Sequence, residues 1–149
     1  MISKKAKYAL KALLYLAKQH DRGLVLISEI ATAERIPRKF LEAILVDLKV
    51  QQIVQSTRGK NGGYTLVKDP AQISVGNVIR MIDGPLAPVH CVSHLYYKKC
   101  DECVDESTCE IRLLMKRVRD ATCDILDTTY LADFSKVTAL MVEEEANQI

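Results

Sequence analysis

The chain has 149 residues, of which 48% are apolar, with no Trp and two Phe, enough for one domain, or one small domain plus an oligomerisation arm, around an aliphatic core. No run of about 18 apolar residues occurs, so no transmembrane helix and no membrane partner are expected. Net charge is only +2, yet residues 1–68 carry 13 Lys and Arg against 5 Asp and Glu, and residues 69–149 carry 8 against 14. A basic front half on an acidic rear half predicts a polyanion-binding module on an acidic support.

At 3–19, Ala6, Leu10, Leu13, Leu14 and Ala17 recur at helical spacing and predict an amphipathic helix. Lys11 and Lys18 interrupt its apolar positions and no small-residue cleavage site follows, so it reads as a cytoplasmic helix and not as a signal peptide. Asp21-Arg22-Gly23 ends it, and Ser28 is the expected N-cap of a short second helix. Ile36-Pro37 breaks that helix. A third is expected over 38–50, with Phe40, Leu41, Ile44, Leu45 and Leu48 on its buried side.

Ile53-Val54 and residues 64–67 read as strands around the turn Arg58-Gly59-Lys60-Asn61-Gly62-Gly63. Two short helices followed by a basic hairpin form the winged-helix pattern. In such a module the third helix enters the major groove with Arg38 and Lys39 nearest the bases, and Arg58 and Lys60 on the wing reach phosphates or the minor groove. The bland alternatives are solvated charge for Arg38, Lys39 and Lys60, and core packing for Phe40.

Asp69-Pro70 closes the module, and Ser74 caps a helix over 75–83 with Val75, Val78, Ile79 and Ile82 on one face and Gly84 at its end. Residues 85–110 then show little periodicity but hold Cys91, Cys100, Cys103, Cys109, His90 and His94. So long an aperiodic stretch is uncommon unless functional or disordered, and clustered soft ligands favour function. An odd cysteine count of 5 in a chain that reads as cytoplasmic points to metal binding or thiol redox chemistry over a disulfide framework. From 110 to 128 apolar residues recur at Ile111, Leu114, Met115, Val118, Ala121 and Ile125. A second copy of the same helix is the simplest partner for that face, and packing back on its own domain is the alternative. Cys123, on this helix, reads as an inert buried thiol. A short helix is expected over 130–141, followed by a frayed acidic end at Glu143-Glu144-Glu145.

The expected fold is therefore mainly α with a small β-hairpin wing. A winged helix-turn-helix DNA-binding domain spans 1–84, a cysteine-rich loop 85–110, and a dimerisation helix with the C-terminal segment 111–149.

These residues resemble the IscR/NsrR-type winged-helix transcriptional regulators, the Rrf-two family of bacteria. The resemblance is carried by Tyr8-Ala9-Leu10 with Leu13, Ile27-Ser28-Glu29-Ile30-Ala31, Ile36-Pro37, Phe40-Leu41-Glu42 and Leu48. It continues through Ser56-Thr57-Arg58-Gly59, Gly62-Gly63-Tyr64-Thr65-Leu66, Ile73-Ser74-Val75-Gly76, Val78-Ile79 and 128–133. It implies a homodimeric regulator that binds duplex DNA at a palindromic operator and holds an iron–sulfur cluster, [2Fe–2S] in preference to [4Fe–4S]. The state of that cluster would control DNA affinity. The expected DNA-contacting residues are Ser28, Arg38, Lys39, Phe40, Glu42, Arg58, Lys60, Asn61 and Gly62. Cys91, Cys103 and Cys109 match the family's cluster cysteines. The positions of its alternative fourth ligands are here Arg112 and Lys7, and neither is a ligand of that kind. The extra Cys100 suggests an all-cysteine site of Cys91, Cys100, Cys103 and Cys109, with His90 and His94 as substitutes.

Iron–sulfur clusters are commonly held by four thiolates. Four cysteines with one C-x2-C spacing also suit a structural zinc ion. A metal-free switch that forms a Cys100–Cys103 or Cys91–Cys109 disulfide is a third reading. An enzyme or electron carrier is disfavoured, because the chain shows no nucleophile with a base, no phosphate loop and no cofactor fingerprint.

Overall fold

A computed structural model describes residues 2–147. Helix α1 spans Lys4–Lys18, α2 Ile27–Glu34, α3 Arg38–Val50, α4 Val75–Asp83, α5 Glu110–Asp127 and α6 Phe134–Ala146; strands β1 (Val54–Thr57) and β2 (Gly63–Leu66) form one antiparallel hairpin. Among the described residues no helix is long and apolar enough to cross a membrane.

α1 is central. The Ser3 hydroxyl caps it by accepting from the Ala6 N–H at 3.0 Å. Ala6, Ala9, Ala12, Leu13 and Leu16 are buried, and these small residues let α3 and α4 pack close. Leu10, Leu14 and Ala17, which the spacing also placed inward, are half-buried at the edges of that seam. The core is completed by Val25, Ile30, Leu41, Ile44, Leu45, Leu48, Val54 and Val78. It is aliphatic, as expected.

Two expectations fail in this region for one kind of reason. Ser28 is not an N-cap: α2 begins two residues earlier than that cap implies, at Ile27, with Leu26 at the cap position and no side-chain cap. Val25 exchanges two 2.8 Å backbone hydrogen bonds with Tyr64 of β2, which holds the chain extended up to Leu26 and fixes where the helix starts. Phe40 is 63% exposed and not on the buried side of α3. Leu41, Ile44, Leu45 and Leu48 already fill that face.

The wing pairs Val54 with Leu66 and Thr57 with Gly63. At Gly63, with φ of 153°, an added Cβ would fall 2.6 Å from the Val25 carbonyl oxygen, so glycine is what lets the hairpin close against the helix-turn-helix unit. The Ser74 hydroxyl caps α4, accepting from the Asn77 N–H at 3.3 Å, as its position predicted.

After α5 the chain returns to the winged module. The Val75 N–H donates to the Thr129 carbonyl at 2.9 Å, the Leu131 N–H donates to the Ile73 carbonyl at 3.0 Å, and Leu131 is buried. α6 begins only at Phe134, after a short 3-10 turn, and runs to Ala146. Glu143, Glu144 and Glu145 are therefore helical and not frayed.

α4 is joined to α5 by a two-pronged ion pair. Arg80 donates to the two Asp127 oxygens at 2.6 and 2.7 Å, and its Nη2 lies 3.6 Å from Cys123 Sγ. Cys123 is thus half-buried and polar-bonded, unlike the inert buried thiol expected. A Cβ on Gly76 would sit 1.9 Å from Asp127 Oδ1, so glycine makes room for the pair.

The Arg80 guanidinium holds the Asp127 carboxyl below the usual carboxylate range. A lowered carboxylate contributes stability above that range and loses it as pH falls through the folded value. Both partners are partly exposed, so Asp127→Asn is expected to cost about 1 kcal/mol at neutral pH. The gap from wild type should close in thermal melts as pH falls below the ordinary carboxylate range. A gap that is independent of pH would show that the charge contributes nothing.

Candidate DNA-binding face and cysteine site

Arg38 and Lys39 lie at the exposed N-terminal turn of α3. Arg38 Nε is 3.1 Å from Glu42 Oε1, an exposed pair one turn apart, so Glu42 orients the arginine. Ser28 is exposed in the first turn of α2, where free backbone N–H groups point outward and suit a phosphate. Phe40 is exposed beside Lys4, Tyr8 and Pro37. On the wing, Arg58, Lys60 and Asn61 are exposed. Gly62 is buried beneath them; its N–H donates to the Gly59 carbonyl at 3.0 Å, and a Cβ there would meet the Thr57 oxygen at 2.2 Å. Its place in the hairpin is to shape the turn that carries the two cations.

The helix-turn-helix unit is clamped from behind. The Tyr15 hydroxyl donates to Glu29 Oε1 at 2.6 Å, and Arg22 Nη2 donates to Oε2 at 2.8 Å. The Arg22 guanidinium, then the Tyr15 hydroxyl, hold the Glu29 carboxyl below its ordinary range.

All four cysteines of the loop line one cavity of about 480 Å³, together with Val89, Glu102, Val104, Asp105, Thr108, Ile111 and Arg112. They arrive on three segments. Cys91 is buried in a 3-10 turn, His90–Val92. Cys100 and Cys103 sit on a tight turn closed by a 3.2 Å bond from the Cys103 N–H to the Cys100 carbonyl. Cys109 caps α5, its Sγ accepting from the Arg112 N–H at 3.4 Å. All four are free thiols.

A hydrogen bond with Cys91 pushes the Cys100 thiol up, and burial, then the neighbouring Cys109, push Cys103 up. His90 and His94 are exposed and do not line this cavity, and Lys7 is exposed on α1.

The donor set suits a metal centre: four soft thiols line one largely apolar space. Among the acidic residues of the cavity, Asp105 accepts from the Ser107 and Thr108 hydroxyls, which hold its carboxyl low, and Glu102 stands beside Cys100. Sequence reasoning reads Arg112 as a non-ligand whose charge partly offsets the acidic residues around the cysteines, and gives Arg119 no role. Arg112 lines the cavity, and Arg119 is the one buried charged side chain among the described residues. The available signal was their interruption of α5 at a spacing of seven residues, which puts both on one side of the helix.

On α5, Ile111, Leu114, Val118 and Ile125 are 68, 53, 43 and 66% exposed. These four side chains face solvent in the single chain, while Met115 of the same stripe is half-buried.

The model of a family described as "Iron-dependent Transcriptional regulator", Rrf2, matches residues 2–136. This chain belongs to the Rrf2 family. An rrf2-like HTH-type transcriptional regulator named from Rhodobacter capsulatus is 44% identical over 136 residues, covering 89% of this chain and 91% of that protein. The HTH-type transcriptional regulator CymR of Bacillus subtilis is 33% identical over 137 residues, covering 92% of this chain and 91% of that protein. The solved structure of CymR, described as the global cysteine regulator of B. subtilis, superposes with a TM-score of 0.77 at 31% identity over 92% of this chain and 97% of that one. T. potens IscR superposes with a TM-score of 0.72 at 28% identity over 93% and 88%. The resemblance carried by the wing and helix motifs is thus borne out, as is the winged-helix fold. As an Rrf2-family protein the chain is a transcriptional regulator, and its relatives are regulators and not enzymes.

Proposed function

We propose that this Rrf2-family regulator binds duplex DNA as a homodimer and that an iron–sulfur cluster held by Cys91, Cys100, Cys103 and Cys109 sets its DNA affinity. The observation that carries the reading is the meeting of all four thiols at one cavity built on the N-terminus of α5. When bound, such a cluster supplies one-electron redox chemistry and sensitivity to oxidant or nitric oxide. The unit over 85–110 is then the sensor, placed between the DNA-binding unit (1–84) and the dimerisation unit (111–149).

The chain's own residues provide the coupling. Cys109 caps α5, so a change at the thiols bears directly on where that helix begins. At its other end, Asp127 grips Arg80 of α4, and the backbone bonds from Val75 and Leu131 tie the following segment to the winged module. A small rotation of α5 therefore reorients α4 and the module it belongs to. In a dimer joined through α5, this changes the spacing of the two recognition helices, to which a palindromic operator is sensitive.

Arg38, Lys39 and Phe40, with Glu42 orienting Arg38, would face base edges. Ser28, Arg58, Lys60 and Asn61, on the turn shaped by Gly62, would face the backbone. The salt dependence of affinity counts the neutralised phosphates. Arg58→Ala is expected to flatten the slope of log affinity against log salt by about 1.8, at about 0.9 for each of two wings, with iron content unchanged. An unchanged slope would remove Arg58 from the DNA contact.

The direct test is the affinity of cluster-loaded and metal-stripped protein for one operator duplex at fixed salt. Equal affinities would sink the sensor reading. A metal-free thiol switch is the second reading, and the Cys91 and Cys100 thiols, both free and lining one cavity, favour it. Its disulfide would join those two residues, and peptide mapping after oxidation would find it. The zinc alternative uses the same four thiols, and metal analysis separates it from the cluster.

A further inference from the structure

α5 turns two arginines toward the Cys91 turn. Arg112 Nε donates to the Cys91 carbonyl at 3.3 Å, and Arg119 Nη1 donates to the next carbonyl, that of Val92. Arg119 is 7% exposed, and its one carboxylate partner, Asp120, is its own neighbour in sequence. A guanidinium is costly to bury, and this one is placed to satisfy a peptide carbonyl of the turn. Arg112 does more than its Nε bond: its backbone N–H holds Cys109 Sγ at 3.4 Å, and its Nε lies 3.9 Å from Glu106 Oε1 across the cavity mouth. Two consecutive carbonyls of one turn are therefore gripped by two side chains of one helix. Cys91 and Val92 are buried beneath them, while Cys100 is exposed on a turn that neither arginine touches.

We propose that Arg112 and Arg119 are positioning residues that staple the Cys91 turn to α5. The thiols are thereby divided into a fixed edge, Cys91 and Cys109, and a carried edge, Cys100 and Cys103. For its geometry the staple depends only on this chain; for its consequence it rests on the cluster reading above. The fixed edge belongs to the dimer helix and keeps its shape when the site is empty. Ligand exchange begins at the carried edge. A guanidinium keeps its charge at every accessible pH, so Arg112 also places a permanent positive charge on the cavity wall and favours the more negative, reduced state of a thiolate-bound cluster.

The test has an arm without metal. In stripped protein treated with iodoacetamide, the exposed Cys100 is expected to be alkylated first and the buried Cys91 last, read by mass spectrometry of each cysteine peptide. Arg112→Gln and Arg119→Met should each speed alkylation of Cys91 by about tenfold, the factor matching loss of one charge-assisted hydrogen bond, and leave Cys100 unchanged. Helix content by circular dichroism shows that the variants are folded; Arg112 is partly exposed, so its variant keeps the test decisive if Arg119→Met fails to fold. In the reconstituted protein, Arg112→Gln should keep the absorption spectrum of the wild-type cluster and lower its midpoint potential, and Arg112→Lys should restore the potential. Unchanged Cys91 alkylation in a folded variant overturns the staple. An unchanged potential overturns the charge role. A wild-type protein that takes up no iron and sulfide overturns the cluster reading instead, and the alkylation arm still decides the staple.

Discussion

Replacing Cys103 by alanine is expected to reduce bound iron and sulfide by at least about tenfold, since no other thiol lines the cavity to replace it and the carboxylates there, Glu102 and Asp105, are harder donors. His90 and His94 do not line the cavity, and Arg112 is occupied with the Cys91 carbonyl. Burial and the neighbouring Cys109 push the Cys103 thiol up, so binding must displace its proton and supplies the thiolate that water does not favour. Cys103 lies outside the aliphatic core, so the stripped variant should melt within about 0.5 kcal/mol of stripped wild type. Its DNA affinity should no longer respond to chelator or oxidant. Cys123→Ala is the matched control: it removes a thiol bonded to Arg80, well away from the cavity lining, and should leave iron content unchanged. Equal loss in both variants would mean that iron is held nonspecifically by thiols.

The second large effect is expected at Val118. Ile111, Leu114, Val118, Ala121 and Ile125 follow one another at alternating steps of three and four residues, the pattern of a helix seam that takes a copy of itself. In the single chain this stripe faces solvent, with Ile111 68% and Ile125 66% exposed. Val118 lies at its middle. Val118→Asp removes about 1.5 kcal/mol of apolar burial from each protomer and places two like charges across the two-fold axis. The dimer dissociation constant should rise by at least about 100-fold. Sedimentation would read this directly, and affinity for a two-half-site operator should fall with it while the winged module keeps its melting temperature. A Val118→Asp protein that remains a dimer at low concentration would place the interface elsewhere.

Local chemistry made the winged module legible. Periodicity and Pro37 located α3, the Ser74 hydroxyl marked the start of α4, and the glycine-rich cations between two apolar strands marked the wing. What was not legible depends on contacts far apart in the chain. The start of α2 is set by Val25 pairing with Tyr64, which no local propensity encodes. Phe40 carries an apolar side chain at helical spacing, yet the core was already full. Cys123 looked like an inert thiol because Arg80 is 43 residues away.

The same division holds at the cysteine site. That four thiols of residues 85–110 belong together was readable from their chemistry. How the loop brings them to one cavity was not, because it has no period to fix its path; they arrive there on three separate segments. The roles of Arg112 and Arg119 were hidden for a related reason. Each binds a backbone carbonyl, and carbonyl acceptors leave no mark in a sequence.

Whether these four cysteines hold an iron–sulfur cluster is read from the iron, acid-labile sulfide and zinc content of anaerobically purified protein together with its visible absorption spectrum. A coloured protein with about two irons and two sulfides per protomer and no stoichiometric zinc is expected. A colourless protein carrying one zinc per protomer would contradict the cluster reading and leave a winged-helix regulator whose cysteines are structural.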